Sequence, residues 1–583
     1  MMKKLLLLLL VPGFALAQST NQNYTKATTY RGENGTLPQT TVTYFDGLGR
    51  PIQKVDNAMS GTGHNIVTHI EYDAYGRPVK DYLPFVSGVS TLDYLSSAVT
   101  AQNTHYTTPA NGETTAYPYS EKLLEASPLD RVLKQAAPGE AWKMGSNHEI
   151  KFEYGTNEAT GTNAVKLFKA TATLNETLLA YTNTLTQTTN YAANELYLTI
   201  TKDENWVSGN NHTTQEFKDK AGKVVLKRTF NINVAHETYY VYDQFGNLAY
   251  VIPPLANAAY DNNTLNGLCY QYQYDNRNRL VSKKLPGKQW EFIVYDLLDR
   301  PVATGPALSP WGTGTQGVMV TQYDVYGRPT QTGWLPTAID PNARSTQQTS
   351  INGGSNPYTL GSNDVLSKNY YDNYNPGLTI PGQIEGQTVN TQVKGQTTGT
   401  LVRILTGPND GYWDYSYIFY DLKMRPIRNH TDNYLEGYTE VDSKLDFMGK
   451  TLYTITRHTR TSNDTEILTT DTFTYTDQDR LKLHTHQVDG GDVQLLADNS
   501  YDQLGQLKDK KVGGSATSYT ALQNVDYQYN IRGWLKSIND TDGLISTDLG
   551  SKDDLFAFKI TYNNPSDNSK ALFNGNISET QWR

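Results

Sequence analysis

Thr68-His69-Ile70-Glu71-Tyr72-Asp73-Ala74-Tyr75-Gly76-Arg77-Pro78-Val79 holds a strand pattern on each side of a turn. Ile70 and Tyr72 alternate with polar neighbours, as on a half-buried strand, and Val79 resumes after the proline. Between them an Asp carboxylate can accept hydrogen bonds from amides one or two residues on. Gly three residues after the Asp can take the left-handed conformation that closes the loop. The stretch therefore predicts a β-hairpin.

It is one of several. Of 18 Arg in the chain, five precede Pro, whereas random placement of 18 Arg and 24 Pro over 583 positions yields about 0.7 such pairs. All five lie four residues after an Asp that itself follows an aromatic. The units are Phe45-Asp46 with Gly49 and Arg50, Tyr72-Asp73 with Gly76 and Arg77, Tyr295-Asp296 with Arg300, Tyr323-Asp324 with Gly327 and Arg328, and Tyr420-Asp421 with Arg425. Looser copies are Tyr242-Asp243 with Gly246, Tyr274-Asp275 with Arg279, Tyr501-Asp502 with Gly505 and Tyr529-Asn530 with Gly533; Leu445-Asp446, Tyr475-Thr476 and Tyr371-Asp372 are weaker. From Tyr242 onward spacing runs from 21 residues (Tyr274 to Tyr295) to 49 (Tyr371 to Tyr420), so the array is irregular and carries insertions.

Composition agrees with this pattern. There are 42 Tyr against 15 Phe, 11 % aromatic and 19 % charged residues, which supply side chains to bury and exclude a disordered chain. Richness in Gly, Asn, Thr and Tyr suits short strands and turns better than helices. At 583 residues a single ordinary domain is excluded. The expected fold class is all-β: an irregular array of hairpins forming one long coiled sheet, a partial shell, with repeated Tyr stacking on one face and a minor helical insertion near 91–101 around Leu92, Leu95 and Val99.

The N-terminus reads as an export signal. Lys3 and Lys4 precede the apolar run Leu5 to Val11, and Ala15-Leu16-Ala17 predicts cleavage between Ala17 and Gln18. The run is too short to span a bilayer, and no later stretch is long and apolar enough. The mature chain is expected to be secreted or on the cell surface. Loss of the two lysines takes the formal charge from −9 to −11, which argues against nucleic acid as a partner. The lone Cys269 excludes a disulfide framework.

These aromatic-Asp-x-x-Gly-Arg units resemble the YD repeats of the Rhs/YD-repeat family, which includes bacterial polymorphic toxins, Tc-toxin B/C components and the teneurin shell. The resemblance covers roughly residues 40–85 and 237–540. Thr40 to Gln53, Ser127 to Val132 and Pro138 to Trp142 are similar to the N-terminal domain of exported Rhs-like proteins. It implies a hollow β-shell around a C-terminal toxin or other cargo, and hence a non-enzymatic scaffold whose partner is that cargo or a chain completing the shell. The family's Asp-Pro release element does not appear near Arg583, and the only Asp-Pro is Asp340-Pro341. The expectation is therefore an open, curved sheet whose free edge and Tyr-rich face self-associate.

The expected organisation is a leader at 1–17, an N-terminal domain with two hairpins at 18–150, a separate β-rich region at 151–236, and a shell segment at 237–583 with loop insertions at 342–365 and 379–400. No catalytic, cofactor or metal constellation emerges. Gly449-Lys450-Thr451 lacks the earlier Gly of a phosphate loop, where Lys444 stands. His484 and His486 share a strand face without a third ligand at recognisable spacing. Asn539 to Gly543 lacks the acidic residues of a calcium loop. Ser60 lacks the Gly two residues earlier that a nucleophile elbow needs. Cys269, between Leu268 and Tyr270, reads as a small buried hydrophobe. A second function class is a glycan-binding or adhesion module presenting Trp142, Trp206, Trp290, Trp334, Trp413 and Trp534 as aromatic platforms.

Overall fold

The computed structural model describes residues 21–108, 113–256, 261–407, 410–516, 521–541 and 554–583. Ala17 and Gln18 lie outside the described residues, as does the rest of the leader. The fold is all-β and its strands pair antiparallel.

An N-terminal five-stranded sheet comes first, in the order Asn23–Tyr30, Pro38–Phe45, Pro51–Asp56, Ile66–His69 and Phe85–Val86. Alternation along Pro38–Phe45 buries Val42 and Tyr44, which join Val55, Val67 and Phe85 in one core. Helix α1 (Ala98–Thr107) covers that core with Ala98 and Tyr106. The helix expected near 91–101 is thus shifted. Leu92 and Leu95 precede it and pack against the same core, because an apolar triplet at helical spacing also suits a loop pressed onto a sheet.

The second sheet is far longer. It starts with Lys80–Tyr82, Tyr119–Leu124, Val132–Ala136 and Ile150–Thr156, continues through Tyr197–Lys202, and then adds strand after strand in chain order to Glu579–Trp582. Among the described residues no ladder joins the last strand to the first, so hydrogen bonding does not close the sheet into a barrel. The strands Thr213–Lys218 and Val224–Asn231 sit in this sheet beside Val234–Tyr242. The boundary expected at 236 is therefore no break in the ladder, and within 151–236 only the hairpin Lys166–Asn175/Ala180–Asn190 stands outside it.

Both expected loop insertions contain regular structure. Helix α3 (Pro341–Asn352) begins at the lone Asp-Pro: Asp340 caps it by accepting from the Ala343 amide at 2.7 Å, and Pro341 takes the first turn, where no amide donor is needed. Its polar composition reads as loop, yet Arg344 and Gln348 are buried. Gln348 accepts from the Tyr295 amide at 3.0 Å and donates to the Tyr295 carbonyl at 2.8 Å, while Arg344 Nε donates to the Ile293 carbonyl. The second stretch holds the short hairpin Gln383–Ile384/Gln387–Thr388 and the sheet strand Val393–Arg403. Ile384, Val389 and Val393 pack on Phe419 and Tyr420. A short third helix, α2 (Asn262–Leu268), lies between sheet strands.

Candidate functional site: the turn ladder and the seam

Most of the aromatic-Asp turns are built alike, with two departures from expectation. Asp372 gives its carboxylate to Arg328 and the Gly395 amide instead of capping a turn of its own. The Asp73 turn, expected within one hairpin, joins Ile66–His69 of the N-terminal sheet to Lys80–Tyr82 of the long sheet, with Ile70–Asp81 an isolated bridge. In the Asp73 turn, Oδ1 accepts from the amides of Tyr75 and Arg77, both at 2.9 Å, while Oδ2 accepts from Arg77 Nε at 2.8 Å. The Asp73 amide meets the Arg77 carbonyl at 3.0 Å, and the Gly76 amide returns to the Asp73 carbonyl at 2.9 Å. Asp46, Asp275, Asp296, Asp324 and Asp421 repeat the same carboxylate pattern with Arg50, Arg279, Arg300, Arg328 and Arg425. At Asp243 the partner is Asn247, and at Asp502 the carboxylate holds the Gln506 amide. One side chain thus satisfies amides that the hairpin leaves without ladder partners. The Arg77 amide and guanidinium hold the Asp73 carboxyl below its ordinary range.

The position three residues after the capping Asp or Thr is left-handed in these turns. Gly76 has φ +80° and Gly327 φ +83°, and Gly49, Gly246 and Gly505 are likewise positive. Where Gly is missing, Asn278, Asp299, Met424 and Asp479 adopt the same conformation with φ of 58–63°. Asp299 uses the position, its carboxylate receiving Arg277 and Arg279.

Neighbouring turns are locked together by the aromatic and the Arg. Tyr323 Oη donates to the Pro301 carbonyl at 2.7 Å, Tyr72 Oη to Pro51 at 3.0 Å and Tyr371 Oη to Pro329 at 2.9 Å; each acceptor is the residue after the Arg of the preceding turn. Tyr295 and Tyr501 do the same to Leu280 and Leu481, and Tyr562 donates to Leu535, where Trp534 stands in place of the Arg. The guanidinium of the earlier Arg lies over the later ring: Arg50 over Tyr72 at 4.3 Å, Arg300 over Tyr323 at 4.7 Å and Arg328 over Tyr371 at 4.4 Å. The expected Tyr-on-Tyr stack is therefore interleaved with cations. Pro starts the returning strand at a register shift, as at Tyr323/Pro329, where a missing amide breaks no ladder bond.

Three turns of this kind escape the sequence template. Asp219, with Gly222 and Lys223, lacks an aromatic before it, yet its carboxylate holds the Ala221 and Lys223 amides and Lys223 reaches the Gly246 carbonyl. Glu125 with Arg131 makes a longer version, and Tyr154 Oη again donates to the following carbonyl, that of Val132. Asn433 holds the Leu435 and Gly437 amides. A search for Asx-x-x-Gly alone, without the aromatic, finds Asp219.

The two ends of the long sheet meet at a seam made almost wholly of side chains. In one zone the N-terminal sheet sits on the last turns. Leu504 and Ile531 pack on the core that holds Phe85 and Tyr106; Gln478 and Arg480 donate to the Ala58 and Met59 carbonyls, Arg31 pairs with Asp479 at 2.8 Å, and the Gly61 amide meets the Gln503 carbonyl. In the other zone Trp142 Nε1 donates to the Phe573 carbonyl at 2.8 Å, the Phe573 amide donates to Asn205 Oδ1 at 2.7 Å, and Asn574 reaches Asp203. Trp142 meets the Trp534 and Phe573 rings edge-on. Between the zones lies a cavity of about 600 Å³, lined among others by Leu83, Tyr106, Glu204, Leu504, Arg532 and Trp534. Burial raises the Glu204 carboxyl and lowers the Arg532 guanidinium, and the two stand 3.9 Å apart.

The remaining candidates are engaged in contacts within the fold. His484 Nε2 and His486 Nδ1 both meet Asp471 Oδ1, at 2.7 and 3.0 Å, and no metal-holding group of three or more such residues occurs among the described residues. Cys269 is fully buried, and burial pushes its thiol up to about 11. Ser60 is buried and bonded to the His64 amide. Of the candidate platforms, Trp142 and Trp334 are buried, and Trp206, Trp413 and Trp534 each face a Lys or Arg. No helix is long and apolar enough to cross a membrane among the described residues.

Residues 17–156 match the model of a domain of unknown function, DUF6443. No curated protein matches the chain. Among solved structures it is similar to the crystal structure of TcdB2-TccC3, with a TM-score of 0.54 and 13 % identity over 92 % of this chain and 24 % of that one. It is similar to TcdB2-TccC3-TEV, with a TM-score of 0.53, 14 % identity and the same coverage. A Photorhabdus luminescens Tc holotoxin pore follows, with a TM-score of 0.51, 13 % identity, and 92 % and 23 % coverage. At such identities the likeness concerns the fold: this is an all-β chain with a Tc-toxin shell-like sheet. The chain spans about a quarter of the length of these structures.

Proposed function

We propose that the chain is an exported, non-enzymatic scaffold, the N-terminal part of a YD-repeat shell of the Rhs type that encloses or delivers a C-terminal cargo. The observation that carries this reading is the turn ladder. The same Asp-Arg-Tyr set recurs at turn after turn with each member engaged in the same internal contacts, so its work is mechanical. Each unit ties a turn to the next and extends one curved wall. The partial likeness to Tc-toxin structures supports a wall of the same kind. The partner of such a wall is a cargo domain or a second chain that completes it.

The test is co-expression of residues 18–583 with the coding segment that follows Arg583, then limited proteolysis of the purified material. A scaffold of this type shields the downstream segment while the denatured mixture is digested. Equal digestion of the segment with and without the scaffold would overturn the reading, as would growth arrest caused by residues 18–583 alone.

A further inference from the structure

We propose that the coil has a built-in parting line, the seam between residues 139–148 with 203–205 and residues 531–534 with 573–574, and that it opens there as a unit while the ladders remain paired. The inference rests on the shell reading only for its biological meaning; the opening itself is a property of this chain.

Three observations carry it. The first is the kind of bond that has to break. Within the long sheet each strand is held by a run of main-chain hydrogen bonds, as between Glu436–Leu445 and Thr451–Thr461. Separating two such strands strands a row of buried donors and acceptors together. Across this line Trp142 donates to the Phe573 carbonyl, Asn205 accepts from the Phe573 amide, and Asn574 donates to Asp203. Glu113 accepts from the Ile531 amide and pairs with Lys536, and the His148 ring stacks on that of Phe573. Among the described residues no main-chain group bonds to another main-chain group across it. Water replaces these one by one.

The second is packing. The cavity of about 600 Å³ lies between the two contact zones, so part of the facing walls is out of contact, and Glu113 on its lining reaches across to the Ile531 amide and Lys536. An interface with so large a gap forfeits the dispersion contacts that hold a filled core shut.

The third is charge. Glu204 is 8 % exposed, and Arg532, half-buried 3.9 Å from it, turns its guanidinium to the Phe573 carbonyl and the Trp142 and Trp534 rings, so the carboxylate is left without a close cation. Opening rehydrates both. Trp142 opposes this. It is 4 % exposed, and it spans the line by a hydrogen bond and two edge-on ring contacts. It therefore holds the seam closed together with His148, whose ring stacks on that of Phe573.

Hydrogen exchange on the full mature chain, followed by mass spectrometry across a series of urea concentrations below the unfolding transition, tests this. The Phe573 amide, held by Asn205, and the Ile531 amide, held by Glu113, report on the seam. Both are expected to exchange at lower urea than the amides of Tyr239–Ile252 and Phe292–Tyr295. Trp142→Ala is expected to accelerate peptides containing Phe573 and Ile531 at least ten-fold and leave those two ladders unchanged. Exchange of seam and ladder in step, or equal acceleration of both by Trp142→Ala, would overturn the proposal. If Trp142→Ala does not fold, the urea series on the unsubstituted chain decides alone. Failure of the cargo-shielding experiment leaves the exchange pattern untouched, so the two readings fail separately.

Discussion

Arg300 and Tyr323 form one joint: the guanidinium lies 4.7 Å from the ring centroid while the ring's hydroxyl donates to the carbonyl of Pro301, the residue next to that Arg. Each joint couples a turn to its predecessor, so losses at one joint are local. Tyr295→Phe removes the bond to the Leu280 carbonyl from a buried ring and is expected to cost about 1 kcal/mol, whereas Tyr323→Phe, at an exposed carbonyl, costs about half as much. Urea denaturation of the two variants in parallel checks the order.

The left-handed turn position is sensitive to a β-branched side chain. Gly76→Val and Gly327→Val are each expected to lose about 1–3 kcal/mol, because φ near +80° resists branching at Cβ. Gly76 should lose more, since an added Cβ meets Arg50 Nη1 at 2.7 Å, whereas at Gly327 the nearest guanidinium atom is 3.6 Å away. Equal melting temperatures for parent and both variants would contradict the turn assignment.

Burial orders the aspartates. Asp275 is 2 % exposed and holds two amides and a guanidinium, so Asp275→Ala removes all three bonds, leaving Arg279 only Asp299, and is expected to cost about 3 kcal/mol. Asp73→Ala, at a more open turn, should lower the melting temperature less. The reverse order would show that exposure does not control the strength of these turns.

Acid weakens the ladder. The Arg131 guanidinium holds the Glu125 carboxyl down to about 2, and that of Arg328 together with the Gly395 amide holds Asp372 at about 2. A carboxyl depressed on folding contributes stability that is full above its unfolded value near 4 and is lost as pH falls through the folded value. Melting temperatures are therefore expected to fall between about pH 4 and pH 2, and Glu125→Gln should flatten part of that fall.

Export is checked directly. N-terminal sequencing of secreted or periplasmic protein is expected to begin at Gln18; a retained Met1 in exported material would contradict the leader assignment.

Much of the wall is legible in the sequence because its recurring parts are short-range. Asp73, Gly76 and Arg77 sit within five residues, and one carboxylate organises them whatever surrounds the turn. Asp219 escapes for the same reason in reverse: the carboxylate works without the aromatic, so a template that demands Phe or Tyr before it is too strict. Helix α3 escapes because its buried face is polar. Gln348 and Arg344 are drawn inward by main-chain groups of Tyr295 and Ile293, some 50 residues away in the chain, and no local periodicity records that. The seam is less legible still. Trp142 and Phe573 stand 431 residues apart, and only the coiling of the intervening strands brings them together.

The reach of the tyrosine joint, one turn back and no further, has a consequence for growth. Within the ladder each tyrosine joint answers only to its nearest neighbours, so away from the seam and the packed helix and hairpin the array behaves as a string of similar links. A hairpin duplicated or deleted as a whole leaves every surviving link with a valid partner, and extra residues spilled into a connection, as before Val365 or Val393, leave the joints on either side intact. Wall length in such a protein is thus an adjustable quantity, set by how many links are strung together rather than by any one core that has to be rebuilt.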